Sequence, residues 1–220
     1  MNDTIIYLIR HSEQYKDYTY NENLDNEREL NKKIILSVDG EKYARELSRL
    51  KELEGIDKIY SSDYVRAIGT AKYIAVNNNL KINIDDRLGE RCIGKVTIVR
   101  DKKNDNEIVN EKIDYTKMQL INPNLKNEFG ESNIEVQKRM EEVISQIVKN
   151  NKGRRIAIVS HGAAIKFYLT KYCLLNERYK LEYKGKELEI TSPSLLKLFF
   201  KENQLMNIKQ IEIKESFPIF

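Results

Sequence analysis

Cysteine and histidine are both scarce in this chain of 220 residues, with two of each. Cys92 and Cys173 lie far apart and form no Cys-x-x-Cys pair, so neither a zinc site nor a disulfide framework is indicated. No apolar run approaches the roughly 20 residues a membrane span needs. The N-terminus also lacks a basic region followed by a long apolar stretch. A cytoplasmic protein without membrane contact is therefore expected. No internal repeat, linker or low-complexity tract is visible. The formal net charge is only +4 and is spread along the sequence, which suits anionic substrates but is too diffuse to argue for nucleic acid. With 40% hydrophobic and 33% charged residues, the composition is globular.

What is present starts at Thr4. The run Ile5-Ile6-Tyr7-Leu8-Ile9 is short and rich in β-branched residues, and stops at Arg10-His11-Ser12-Glu13. It reads as a strand buried in a sheet, with a cation and an imidazole at its C-terminal end. Open α/β sheets place ligands at that edge. An arginine fork suits a phosphate, and an adjacent histidine can serve as nucleophile or base. The second histidine repeats the context, because Ile156-Ala157-Ile158-Val159-Ser160 leads into His161-Gly162.

Between these runs, the polar stretch 14–33 reads as a long loop or a short exposed helix, placed where substrate selection is natural. Ser37 caps an expected helix to about Leu53, followed by a strand at Lys58-Ile59-Tyr60. Ser62 or Asp63 should cap a helix from Tyr64 to about Val76. Arg66 falls in its first turn, where a cation opposes the helix dipole unless an anion binds there. Ile82–Ile84 reads as a short strand, and Glu90 as a loop carboxylate between two glycines. A hairpin is expected within 96–113, and irregular chain over 115–129. Apolar residues at i, i+3, i+4, i+7 and i+8 predict a helix over about 134–149, with Ser132 and Glu135 as a capping box. A strand at 155–160 and a helix from Ala163 to about Leu175 follow. Strands at 195–200 and 207–213 resemble an antiparallel addition.

This alternation predicts an α/β, three-layer fold: a mostly parallel sheet with helices on both faces and an antiparallel edge strand. A single domain spanning 1–220 is expected, with a substrate-selecting insertion at about 95–128. In a parallel sheet Arg10-His11, Ser61-Ser62 with Arg66, and His161-Gly162 share one edge. Two arginines, two histidines, helix N-termini and no metal-ligand cluster describe a site for a tetrahedral anion.

Taken in order, the following segments occur together: Arg10-His11-Ser12-Glu13, Leu36-Ser37 with Gly40, Ser61-Ser62-Asp63-x-x-Arg66-Ala67-x-x-Thr70-Ala71, Arg87-Leu88-x-Glu90, Gly130-Glu131-Ser132 and Ser160-His161-Gly162. The set resembles the histidine phosphatase superfamily, the phosphoglycerate-mutase-like proteins. The resemblance implies that His11 attacks phosphorus and carries the phosphoryl group as phosphohistidine. It implies that Arg10, Arg66 and His161 surround the non-bridging oxygens, with a backbone N–H near Gly162 as a further donor. His11, Glu90 and His161 would form the catalytic set, with Glu90 protonating the leaving oxygen and then activating water. No metal or other cofactor is implied. The expected partner is a small phosphorylated substrate, and a homo-oligomer is compatible with the sequence.

Two positions depart from the family pattern. Ser12 stands where glycine is usual, and Asp17 where asparagine is common. The stretch 14–35 also lacks the aromatic-Gly-Trp-Asp pattern and the paired arginines of the glycolytic mutases, which favours hydrolysis over mutase activity. Glu90 favours an ester leaving group over a phosphohistidine protein substrate. A catalytically silent phosphate-binding module is the reading from a different class.

Overall fold

The computed structural model describes residues 3–16, 27–95 and 115–213. The expected 96–113 hairpin and Asp17 lie outside these residues. Strand β1 (Thr4–Arg10) is sandwiched, as its continuous apolar run predicts for a strand covered on both faces. Its side chains alternate, Ile6 and Leu8 entering one core while Tyr7 and Ile9 enter the other. Helix α1 (Glu27–Lys33) and helix α2 (Val38–Leu47) precede β2 (Lys58–Ser61), and helix α3 (Val65–Asn77) leads to β3 (Ile82–Ile84). Helices α4 (Tyr115–Ile121) and α5 (Asn133–Asn150) follow, then β4 (Arg155–Ser160) and α6 (Gly162–Leu169). The remaining strands are β5 (Leu174–Leu175), β6 (Leu181–Tyr183), β7 (Lys186–Glu187), β8 (Ser194–Lys201) and β9 (Gln204–Ile211).

The main sheet runs β3-β2-β4-β1-β8-β9. The first four strands are mutually parallel, and β8 and β9 join antiparallel. The antiparallel portion is thus two strands deep, with β8 interior and β9 at the edge. Residues of α2 and α3 pack with Tyr7, Ile9, Ile59, Ala157 and Val159 on one face. On the other, α5 and α6 pack with Ile6, Leu8, Ile156, Ile158 and Leu196. The result is the expected three-layer arrangement.

Several boundaries differ from expectation, each for a local reason. Helix α2 stops at Leu47 rather than near Leu53, because the Ser48 hydroxyl donates to Arg45 O at 2.7 Å and a separate 3-10 turn occupies Lys51–Leu53. Helix α6 stops at Leu169 rather than near Leu175, where the Thr170 hydroxyl donates to Phe167 O at 2.6 Å. The stretch expected to be irregular contains α4, tied to the body by Gln119, whose side chain donates to Leu125 O and Glu131 O at 2.7 Å each. The small antiparallel sheet β5-β6-β7 was not expected from the sequence. The capping box at Ser132 is formed, with both reciprocal hydrogen bonds present.

Candidate active site

Parallel pairing of β1, β4 and β2 brings their C-terminal ends side by side, with Arg10 paired to Ser160 and Ser61 to Val159. The chain beyond each end is held in step: His11 N donates to Ser160 O at 2.9 Å and Ser62 N to Val159 O at 3.1 Å. Arg10 and His11 therefore leave the sheet beside Ser62 and His161. The two imidazoles lie with ring centroids 5.0 Å apart, edge to face.

His11 is 4% exposed. Its Nδ1 lies 2.7 Å from Ser12 O, which as a carbonyl can only accept. The ring proton is thereby assigned to Nδ1, leaving Nε2 unprotonated and an acceptor. Arg66 Nε donates to that Nε2 at 3.2 Å. Burial, then the positive charge of Arg66, drive the His11 pKa down to about 3, so the ring is neutral at physiological pH. The Ser12 backbone is fixed in turn, its N–H donating to Thr70 Oγ1 at 2.9 Å while the Thr70 hydroxyl donates to Arg66 O at 2.9 Å. Ser12 is fully buried, and its hydroxyl has no partner among the described residues.

His161 is also fully buried and occupies the N-cap position of α6. Its Nε2 lies 2.7 Å from Ser62 Oγ, and its Nδ1 has no partner among the described residues. A serine hydroxyl can donate or accept at Nε2; when it donates, the ring proton sits on Nδ1 and that atom becomes a donor. Burial first, then the competing His11 ring and the positive charges of Arg66, Arg139 and Arg10, hold the His161 pKa well below its ordinary value. Tyr64 backs the ring at 4.5 Å between centroids and carries the Arg66 guanidinium 4.7 Å above its own ring centroid.

Both arginines are fixed by carbonyl oxygens: Arg10 Nη1 donates to Ile190 O and Arg66 Nη1 to Asn31 O, each at 2.6 Å. Arg10 Nε is buried without a partner among the described residues. Burial lowers both guanidinium pKa values, and the charge of Glu90 opposes that effect at each. Gly162 provides room for Arg10, since a Cβ there would lie 3.0 Å from Arg10 Cζ and 3.1 Å from Nε. The next two amides of α6 serve Glu90: Ala163 N donates to Oε2 at 3.3 Å and Ala164 N to Oε1 at 3.0 Å. Arg91 N adds a third donor to Oε1 at 2.8 Å.

All the residues predicted as a set, Arg10, His11, Arg66, Glu90, His161 and Gly162, thus belong to one network. Helix α3 begins without a side-chain cap. The residues expected to provide one are engaged elsewhere, Ser62 with His161 and Asp63 with Lys32 at 2.9 Å. The contribution of α1 was not legible, since only the backbone oxygen of Asn31 reaches Arg66. Arg139 was also missed, although an arginine one turn from both Val136 and Val143 on the buried flank of α5 is a signal that could have been read. Among the described residues no group of three His, Cys, Asp or Glu side chains is placed to hold a metal ion, and no helix is long and apolar enough to cross a membrane.

A family model for the histidine phosphatase superfamily (branch 1) matches residues 6–194, and the chain belongs to that family. Among curated relatives, the probable phosphoglycerate mutase GpmB of Escherichia fergusonii is 31% identical over 163 residues, covering 73% of this chain and 70% of that protein. The probable phosphoglycerate mutase GpmB of an Enterobacter species is 26% identical over 201 residues, covering 90% and 86%. Among solved structures, mycobacterial glucosyl-3-phosphoglycerate phosphatase matches with a TM-score of 0.66 at 16% identity, covering 95% of this chain and 97% of that one. Bacillus stearothermophilus YhfR matches with a TM-score of 0.63 at 22% identity, covering 92% and 94%. These structural likenesses concern the fold.

Proposed function

We propose that the protein hydrolyses a small phosphomonoester through a phosphohistidine at Nε2 of His11. The observation that carries the reading is the His11 tautomer: Nδ1 is committed to Ser12 O, and the unprotonated Nε2 accepts only a 3.2 Å bond from Arg66 Nε, which an oxygen of the bound phosphoryl group would take over to release the lone pair. In the first step the lone pair attacks phosphorus, a P–N bond forms, the ester P–O bond breaks, and Glu90, which takes up a proton when the anionic ester binds beside it, gives that proton to the departing oxygen. In the second, water attacks the same phosphorus, Glu90 takes a proton from it, and the P–N bond breaks to release inorganic phosphate and neutral His11. Arg10, Arg66 and Nδ1–H of His161 bind the oxygens on which charge accumulates. Preorganised donors of this kind are typically worth about 3–4 kcal/mol each in the transition state. The chain 1–220 forms one catalytic domain in this reading, with the 95–128 stretch contributing to substrate choice.

Purified protein should hydrolyse an aryl phosphate in the presence of chelator, and His11→Ala should abolish turnover. A labelled intermediate trapped during turnover should survive alkali and be lost in acid, as a phosphoramidate does. A label stable to acid and lost in alkali would exclude His11 as the nucleophile. The two GpmB relatives are named as probable phosphoglycerate mutases, which makes transfer to a second hydroxyl the alternative. Release of inorganic phosphate in step with substrate loss separates hydrolysis from transfer. Phosphate binding without any turnover would instead support the silent-module reading.

A further inference from the structure

We propose that Glu131 and Arg139 are positioning residues, a clamp that sets Glu90 in place for proton transfer; the inference rests on the acid–base role proposed for Glu90. Arg139 leaves α5 with its side chain 19% exposed and reaches the loop after β3. Nη1 donates to Arg87 O at 2.8 Å and Gly89 O at 3.0 Å, while Nη2 donates to Glu90 O at 3.2 Å. Nε and Nη2 meet the two oxygens of Glu131 at 2.6 and 3.0 Å. A planar fork facing a carboxylate on one edge and three carbonyls on another is a demand that guanidinium meets and ammonium does not.

Glu131 completes the grip from the far side of the loop, its Oε2 accepting from Cys92 N at 2.8 Å. The main chain on both sides of Glu90 is therefore fixed by one ion pair. The two segments are laced together as well. Glu131 N donates to Cys92 O and Lys95 N to Glu128 O, both at 2.8 Å. The approach is close enough that a Cβ on Gly130 would lie 2.5 Å from Ile93 O. Beyond the clamp, the Glu90 carboxylate is met by the amides of Arg91, Ala163 and Ala164. The clamp locates the backbone of Glu90, and α6 receives its side chain. A proton donor on a loop needs such support, because small displacements of a catalytic group are costly in rate.

The test compares phenyl phosphate, whose leaving group needs acid help, with 4-nitrophenyl phosphate, whose leaving group needs less. Arg139→Lys, which keeps the charge and loses the fork, should slow the phenyl ester about tenfold or more beyond its effect on the nitrophenyl ester. Glu90→Gln should show the same bias, and adding Arg139→Lys to it should cost little more. Glu131→Gln, which keeps an acceptor for Cys92 N, should show a smaller bias and supplies the same measurements if Arg139→Lys does not fold. Equal slowing of both esters, or effects that simply multiply with Glu90→Gln, would mean an ordinary structural ion pair and overturn the proposal. Amide exchange gives a readout independent of turnover: Arg139→Lys should speed exchange at Ala163 and Ala164 as well as at Cys92. Unchanged protection at Ala163 and Ala164 would sink the clamp while leaving the hydrolytic reading intact. If Glu90→Gln itself shows no bias, the acid–base role falls and the clamp's purpose with it.

Discussion

Ser62 touches the site through one short hydrogen bond with His161 Nε2, and the proposed mechanism requires its hydroxyl to donate there so that Nδ1 carries the ring proton. Replacing the hydroxyl removes the group that directs the ring proton to Nδ1, so Ser62→Ala should lower kcat by about 10- to 100-fold, less than loss of a full donor set. The ring-nitrogen NMR signals of His161 should shift toward a mixed tautomer, and Ser62→Thr should restore both signals and rate. Unaltered ring signals in Ser62→Ala would remove the tautomer from the account. At this scale the principal side chains could be read from the sequence. Arg10-His11 and His161-Gly162 each stand where an apolar run breaks into polar residues, and Arg66 sits against the helix dipole. Ser62 was placed at the shared edge and read as a possible helix cap, but its bond to His161 was not legible, because nothing in its neighbours announces a partner 99 positions away. Glu131 and Arg139 are eight residues apart, beyond the reach of local helix pairing, and their shared target lies some forty residues upstream.

Helices show the same division between local and distant causes. The box at the start of α5 was legible because it is closed within four residues, Ser132 Oγ accepting from Glu135 N at 3.2 Å and Glu135 Oε2 from Ser132 N at 2.8 Å. Ser132→Ala should cost about 1 kcal/mol, measured as a lowered denaturation midpoint with unchanged slope. A loss below a few tenths would show that tertiary packing alone fixes this end. The ends of α2 and α6 were harder to place because Ser48 and Thr170 terminate them by bonding backward to the preceding turn, and the same residues are tolerated inside other helices. Helix α4 is seven residues long, too short to persist by its own propensity. Its order comes from Gln119, whose side chain bonds the chain beyond Pro123 at Leu125 O and Glu131 O and whose backbone oxygen accepts from Asn133 Nδ2 at 3.2 Å.

For the whole molecule, two buried neutral imidazoles couple folding to pH. Unfolded, His11 takes up a proton near pH 6.5, whereas in the fold its pKa lies at about 3. Between those values the unfolded chain binds more protons, so stability rises with pH across this window. The contribution is complete above 6.5 and is lost as pH falls toward 3. His161 acts in the same direction. Glu135, held at about 2 against an ordinary 4.5 chiefly by its bond with Lys126, adds a smaller component lost between those values. The denaturation midpoint should therefore fall steadily from pH 7 to pH 4, and His11→Gln should flatten that fall. Equal slopes in the two proteins would show that His11 does not supply the linkage. The layered sheet itself was legible because strand and helix periods alternate along the chain. The depth of the antiparallel portion was less so, since β8 is interior and its run Ser194–Lys201 reads much like a parallel strand.

Strand β1 is hydrogen-bonded along both sides, to β4 and to β8, and His11, the proposed nucleophile, lies one residue beyond its end. That imidazole thus inherits the stiffness of the middle of the sheet, while α1 and the small β5-β6-β7 sheet belong to the periphery. Substitutions in those outer parts leave the position of His11 undisturbed, so on the proposed mechanism the choice of ester and the making of the P–N bond are governed by separate parts of the chain.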